Sequence, residues 1–107
     1  MKGGDKMINT CVIVGRIKEL KASGAMVVAT NRSIKDENGV YLTDYIPVEL
    51  NGNVRVQALE YCGIGDMIGV KGRIEYLEEQ DSVCVVAEKV TFLSNKNHNE
   101  KTSNELE

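Results

Sequence analysis

Residues 45–77 read YIPVELNGNVRVQALEYCGIGDMIGVKGRIEYL, and they place one helix between two strands. Apolar and polar side chains alternate over residues 45–50, which predicts a strand with one face buried. After Asn51-Gly52-Asn53, residues 54–62 carry an apolar stripe at helical spacing, made of Val54, Ala58, Leu59 and Cys62. Two glycines then end the helix, and residues 67–77 return to a strand pattern.

Further strand patterns lie on both sides of this stretch. Residues 7–18 and 25–33 precede it, and residues 82–93 follow it. The sequence DENG at 36–39 predicts a tight hairpin turn, because Asn-Gly adopts the positive φ angles that such turns need. The order β-β-β-α-β-β predicts an all-β fold with one helix. Specifically, it predicts a five-stranded OB-fold Greek-key barrel with the helix between strands 3 and 4.

Two glycines and one proline inside predicted strands add geometric detail. Gly15 and Gly72 occur in the similar segments VGRI and KGRI, in the first and fourth strands. Glycine inside a strand marks a bend, a bulge or a close backbone approach, so both are expected at a coiled seam between these strands. Pro47 has no N–H to donate, so the third strand needs a bulge or an open edge there.

The composition fits one globular domain. The chain has 107 residues, and ten glycines against one proline favour a turn-rich β fold over a helix bundle. We expect the domain to span residues 7–93, with a disordered lead at 1–6 and a disordered polar tail at 94–107. No apolar run reaches the roughly 18 residues needed to cross a membrane, and the start lacks a signal-peptide pattern. We therefore expect a cytoplasmic protein without membrane contact.

No catalytic or metal-binding pattern is visible. Cys11, Cys62 and Cys84 are far apart in sequence and sit in apolar stretches, where a free cysteine behaves as a small hydrophobe. His98, the single histidine, lies in the polar tail without a nucleophile nearby. We therefore predict no enzyme activity, no metal, no cofactor and no small-molecule substrate. The net charge of −3 argues against indiscriminate polyanion binding but allows a basic patch on one face.

Five segments in one order resemble bacterial single-stranded-DNA-binding proteins. They are MINTCVIVGRI at 7–17, VATN at 28–31, DYI at 44–46, GDMIGVKGRI at 65–74 and VAEKVTFL at 86–93. The resemblance covers residues 7–93. It implies an OB fold, a homo-oligomer that usually joins four OB folds, and sequence-tolerant binding of single strands.

Departures from that family pattern imply a weaker binder. Tyr45 corresponds to one of the family's base-stacking aromatics, whereas Ile34 and Asn51 stand at two other such positions and cannot stack. The loop between strands 4 and 5 is reduced to acidic residues at 78–81, and the connection at 19–24 is short. The family's acidic, aromatic-ended tail does not match residues 104–107. These departures suggest a short accessory or mobile-element paralogue.

The candidate site combines rings for bases with cations for phosphates. Tyr45 projects away from the core, and Glu49 on its face would repel phosphate. The predicted contacts to single-stranded DNA are Tyr45, Tyr41, Arg32, Lys35, Lys71, Arg73 and Lys18. Apolar side chains on both faces of the first strand predict self-association as a dimer or tetramer. The predicted oligomer contacts are Asn9, Cys11, Val12, Val14 and Arg16, of which Arg16 could instead bind phosphate.

Three functional hypotheses follow from these residues. The first is a protein that binds single-stranded DNA in replication, recombination or repair. The second is an OB-fold protein–protein module of the primosome accessory type, with DNA binding reduced or lost; the acidic charge and the missing aromatics favour it. The third is an RNA-binding OB domain.

Overall fold

The computed structural model describes residues 6–94, in which five strands close into a barrel of order β1-β2-β3-β5-β4. The predicted fold is confirmed, including the single helix between the third and fourth strands. The elements are β1 (Cys11–Leu20), β2 (Ala25–Lys35), β3 (Tyr41–Glu49), α1 (Gly52–Tyr61), β4 (Met67–Leu77), a 3-10 turn at Glu78–Gln80 and β5 (Ser82–Ser94). The predicted lead and tail lie outside the described residues except for Lys6, which is coil, and Ser94, which ends β5.

Three elements begin at a different residue from the sequence-based prediction. β1 begins at Cys11 rather than residue 7, and β3 begins at Tyr41 rather than residue 45. β3 is longer because β2 continues beside it as a hairpin, with Lys35 opposite Tyr41. The helix begins at Gly52, two residues before the predicted start at residue 54.

The Asn-Gly turn that joins β2 to β3 forms as predicted. Gly39 has a φ of 78°, which an L side chain rarely adopts. The Asp36 carboxylate accepts hydrogen bonds of 2.9 Å from the backbone N–H groups of both Asn38 and Val40. The turn is therefore fixed by its own residues, and it sets the register of the outer part of the hairpin.

Alternation along the strands builds the core. The inward side chains of every strand, together with Leu50 after β3 and Ala58 of α1, are buried; they include Ile17, Met26, Val28, Val48, Ile68, Val70 and Val85. The helix covers the barrel through Val54, Ala58 and Cys62, which are spaced four residues apart. Leu59 was predicted on the same stripe but is 40% exposed, because this narrow contact leaves its side of the helix open.

Both strand glycines lie in the paired segment of β1 and β4, as predicted, but their closest backbone contacts are with the other neighbouring strands, β2 and β5. β1 pairs with β4 from Cys11 opposite Gly72 to Arg16 opposite Met67. A Cβ on Gly15 would meet the Ala29 carbonyl oxygen of β2 at 2.4 Å. A Cβ on Gly72 would meet the Val86 carbonyl oxygen of β5 at 2.1 Å.

The barrel closes through a very short parallel contact between β3 and β5. Only two residue pairs form it, Val48 with Val85 and Glu49 with Val86. The N–H of Leu50 bonds to the Gly24 carbonyl beside β2, so by alternation the nitrogen of Pro47 points away from β2. Pro47 therefore stands at the open edge that the sequence required, one residue before pairing with β5 begins.

Candidate nucleic-acid interface

The outer face of β3 presents two tyrosines. Positions 41, 43 and 45 alternate with the inward-facing Ile46 and Val48, so their side chains share the outer face. Tyr41 is 52% exposed and Tyr45 is 57% exposed. Between them, the Thr43 hydroxyl donates a 2.8 Å hydrogen bond to the side-chain oxygen of Asn31 on β2. This face therefore offers two aromatic surfaces separated by a small polar pair.

Each of these rings has a lysine ammonium over it. The Lys18 Nζ lies 5.4 Å from the centre of the Tyr45 ring, and the Lys35 Nζ lies 5.3 Å from the centre of the Tyr41 ring. Both distances are within the range of a cation–π interaction, which contributes about 0.5–1 kcal/mol at exposed sites. Four of the predicted DNA contacts are thus brought together in two matched pairs.

Register irregularities position both lysines. Between Ile17 and Glu19, β1 has one residue more than β2, and that residue is Lys18. Between Asn31 and Lys35, β2 likewise has extra residues relative to β3. A β-bulge turns a side chain away from the direction that regular alternation would give it. Two independent bulges therefore serve the same face.

A largely apolar groove, lined in part by Tyr45, lies between β3 and β5. β3 pairs with β5 only at Val48 and Glu49, so the two strands are apart on the Tyr45 side of Val48, and this leaves the groove. The groove has a volume of about 510 Å³, and its walls include Ile13, Ile46 and Val85. A flat apolar group that stacks on Tyr45 would thus find further apolar surface next to it.

Arg32 lies on the opposite side of the hairpin and is held in an ion pair. By alternation from Asn31, its side chain faces away from Tyr45, towards Asp44. Its Nη2 donates to Asp44 Oδ1 at 2.9 Å and its Nε donates to Oδ2 at 3.1 Å. This hydrogen bonding lowers the pKa of Asp44 and raises the pKa of Arg32. Arg32, a predicted phosphate ligand, is therefore already paired with a carboxylate in the free protein.

Lys71 and Arg73 lie on β4, which β1 and β5 separate from the β2–β3 face. Arg73 forms ion pairs with Glu75 and, at 3.3 Å, with Glu88. Its hydrogen bond to Glu75 is the main cause that raises the pKa of Arg73. Lys71 faces Lys89 of β5 directly across the ladder. The structure thus divides the predicted DNA contacts between two sides of the barrel.

The predicted oligomer residues differ in their surroundings. Val12 is 70% exposed and Val14 is 55% exposed on the outside of β1. The Asn9 side chain bonds to both the N–H and the carbonyl of Ile74, at 2.9 and 2.6 Å. The Arg16 Nη1 donates to the Gly65 carbonyl at 3.0 Å. Cys11 is partly buried against the core.

Sequence reasoning missed Lys89 and Asn31. Both acquire their place only through register, Lys89 opposite Lys71 and Asn31 opposite Thr43. A single sequence offers no signal for such cross-strand partners, because the register depends on the bulges.

No arrangement for metal binding or thiol chemistry appears in the part of the chain that the structure describes. Residues 6–94 contain no group of three or more His, Cys, Asp or Glu side chains placed to hold a metal ion. Burial, with a contribution from Asp66, raises the pKa of Cys62 to about 11, and burial also raises the pKa of Cys84. Both thiols are therefore poor nucleophiles near neutral pH. None of the helical segments in this region is long and apolar enough to cross a membrane.

The closed five-stranded barrel, with its helix between β3 and β4 and its aromatic–cationic face on β2 and β3, defines an OB-fold protein. The model of the single-strand binding protein family matches residues 8–97. The chain belongs to that family. The family expected from the sequence is therefore confirmed, and single-strand binding is confirmed as the function that the family describes.

Curated relatives agree with this assignment. The single-stranded DNA-binding protein of Staphylococcus epidermidis is 31% identical, over 90% of this chain and 84% of that protein. Single-stranded DNA-binding protein B of Bacillus subtilis is 30% identical, over 84% of this chain and 94% of that protein.

Two solved structures share the fold. The mitochondrial single-stranded DNA-binding protein of S. cerevisiae matches with a TM-score of 0.66 at 18% identity, over 84% of this chain and 99% of that one. The Plasmodium falciparum SSB in complex with ssDNA matches with a TM-score of 0.64 at 17% identity, over 84% and 98%.

Proposed function

We propose that this protein binds single-stranded DNA through the outer face of β2 and β3. The observation that carries the proposal is the pair of exposed tyrosines, Tyr41 and Tyr45, each with a lysine ammonium over its ring. Single-strand binding needs flat surfaces for bases and positive charge for phosphates, and this face supplies both. The ligand-binding face of an OB barrel also lies on its second and third strands.

The affinity follows from the number of rings and charges. Stacking on an aromatic side chain contributes about 1–3 kcal/mol per base, so two tyrosines support modest binding. Each phosphate contact lowers the slope of log K against log salt concentration by about 0.7 for single strands. With Lys18 and Lys35 as the phosphate contacts, we expect salt to weaken binding. Every base can stack on an aromatic ring, so we expect the protein to bind single strands of any sequence.

A titration with oligo-dT tests this function. The chain has four tyrosines and no tryptophan, so quenching of tyrosine fluorescence reports the binding. Tyr45→Ala should lower the affinity roughly 5- to 150-fold, which is the loss of one stacked base. Tyr76→Ala is the matched control, because Tyr76 is 61% exposed but lies near the β4–β5 tip, where its hydroxyl bonds to Asp81 at 2.7 Å. If the wild-type protein does not bind oligo-dT at low salt and high protein concentration, the proposal is wrong.

We also propose that two or more copies associate through β1. From Cys11 to Gly15, β1 pairs with β4 on one side, whereas its pairing with β2 begins only at Arg16. An unpaired strand edge can accept a strand from another chain, and the exposed Val12 and Val14 lie beside it. Association through this edge would give a dimer or a tetramer.

Sedimentation velocity tests this association. Val14→Lys should shift the protein to a smaller species, because it places a charge in the proposed contact. Val56→Lys on α1 is the control, since Val56 is 56% exposed against 55% for Val14. A wild-type protein that sediments as a monomer would rule out the contact.

Replication, recombination and repair are the processes in which we expect this binding to act, in the cytoplasm and without catalysis. The second candidate is a protein-binding OB module. The acidic tip between β4 and β5, with Glu78, Glu79 and Asp81, favours it because that tip would repel phosphate. Retained oligo-dT binding that depends on Tyr45 distinguishes the first function from the second, and comparison with oligo-rU tests the RNA-binding alternative.

A further inference from the structure

In the free protein, each tyrosine of the proposed interface has a lysine ammonium over the ring face on which a base would stack. The ammonium groups of Lys18 and Lys35 are 5.4 and 5.3 Å from the centres of the Tyr45 and Tyr41 rings. Each ring is about half exposed, so the lysine takes up part of the ring surface that remains accessible. A stacked base and the ammonium cannot use the same area of the ring at the same time.

The lysines come from different strands and reach their rings independently. Lys18 is the extra residue of the β1 bulge, and Lys35 ends the irregular part of β2. The β2 residue directly opposite Tyr45 is Ala29, and its small side chain leaves space on the outer face between β1 and β3. Two separate distortions of the sheet thus produce the same arrangement, a lysine over an outward-facing tyrosine.

Neither lysine has an acidic partner that would hold it elsewhere. Across residues 6–94, the ion pairs are those of Arg32 with Asp44 and of Arg73 with Glu75 and Glu88. Lys18 and Lys35 contact rings instead of carboxylates. An ammonium that leaves a ring is therefore available to a phosphate without breaking an ion pair.

We propose that Lys18 and Lys35 cover the tyrosine rings in the free protein and move to phosphates when bases stack. This inference rests on the proposed function and adds a basis for ligand selection. A DNA strand brings a phosphate to receive each displaced ammonium. A neutral stacking compound brings none, so it must break the cation–π contact without replacement. The site therefore selects charged strands over neutral aromatic ligands.

A comparison of two oligonucleotides separates this mechanism from simple charge attraction. Ordinary oligo-dT carries phosphates, whereas methylphosphonate oligo-dT has the same bases on a neutral backbone. Lys18→Met should weaken binding of ordinary oligo-dT, because a phosphate contact is lost. The same substitution should strengthen binding of the neutral oligonucleotide about two- to fivefold, the size of an exposed cation–π contact. Changes of opposite sign are the signature of the exchange.

Lys21→Met is the matched control, since Lys21 is exposed in the β1–β2 turn and has no ring contact. It should leave the neutral oligonucleotide's affinity unchanged. Tyr45→Leu combined with Lys18→Met should remove the gain, because no ring is left to uncover. If Lys18→Met lowers the affinity for both oligonucleotides while the wild-type protein binds DNA, the exchange is refuted and the proposed function stands. If the wild-type protein binds no oligo-dT, the function itself fails.

A second measurement needs no affinity for the neutral strand. In the free protein, the tyrosine ring should shift the Lys18 side-chain proton resonances upfield relative to those in Tyr45→Leu. Addition of oligo-dT should abolish that shift as the ammonium leaves the ring. Equal resonances in the free wild-type protein and Tyr45→Leu, or a shift that persists in the complex, would overturn the inference.

Discussion

Substitution of Gly72 by alanine should push β4 and β5 apart. The new Cβ would lie 2.1 Å from the Val86 carbonyl oxygen, 3.0 Å from its carbonyl carbon and 3.2 Å from the Ala87 Cα. All three are backbone atoms, so no side chain can rotate away. Ordinary contact begins at 3.4 Å, so the two backbones must separate by about 1.3 Å at this point. Overpacking of this kind costs about 1–3 kcal/mol of the free energy of unfolding.

Gly69→Ala is the control on the same strand. Its nearest neighbours would be side-chain atoms of Leu93 and Val14 at 3.9 Å, an ordinary van der Waals contact. This substitution should stabilise the protein by about 0.4–1 kcal/mol, because alanine restricts the unfolded chain. The two alanines should therefore change stability in opposite directions, although both replace a glycine in β4.

Urea unfolding followed by circular dichroism measures this difference. The Gly72→Ala midpoint should fall and the Gly69→Ala midpoint should rise, at equal protein concentration because association adds to stability. In thermal unfolding, each kcal/mol corresponds to about 4–8 °C in Tm for a domain of this size. If both variants unfold at the same urea concentration, β4 and β5 do not approach as closely at Gly72 as the structure shows.

Three further predictions concern charge, thiols and the core. Asp44→Asn should release Arg32 from its ion pair but leave the salt dependence of oligo-dT binding unchanged, because Arg32 faces away from Tyr45. Because the pKa of Asp44 is lowered in the folded protein, the pair stabilises the fold fully above the unfolded-state pKa of about 4. The Tm difference between wild type and Asp44→Asn should shrink as pH falls below that value and disappear once pH is below the lowered pKa of folded Asp44. Cys62, with its pKa raised to about 11, should react slowly with a thiol reagent at pH 8 and rapidly once urea unfolds the chain. Leu50→Ala should cost about 2–5 kcal/mol in urea unfolding, since Leu50 is fully buried; a loss below 1 kcal/mol would contradict the core.

The sequence predicted the elements of this barrel better than their pairing. The bounds of β4 agree with the prediction at both ends, because glycines precede the strand and acidic residues follow it. β3 was predicted to begin four residues too late, since residues 41–44 lack a clear alternation of apolar and polar side chains and are held as a strand by β2. Isolated patterns therefore give the existence of a strand, whereas its length depends on a neighbour.

The same limit applies to the candidate site. Tyr45 could be assigned to the outer face from the alternation around Ile46 and Val48. Its contact with Lys18 depends on a bulge between Ile17 and Glu19, which no local sequence pattern predicts. The ion pair of Arg32 depends likewise on the register of the hairpin. Which cations remain free for phosphate is thus a property of strand register, and composition alone does not reveal it.

The short parallel junction between Val48 and Val85 has a consequence for the dynamics of the molecule. These residues lie far apart along the chain, and only two residue pairs form, so few hydrogen bonds offset the loop-closure entropy of the junction. Folding should complete this junction late, and spontaneous opening should begin there. Amide hydrogens at the junction should then exchange with solvent sooner than those in the long β4–β5 ladder. The barrel would open locally between β3 and β5 while its hairpins stay intact.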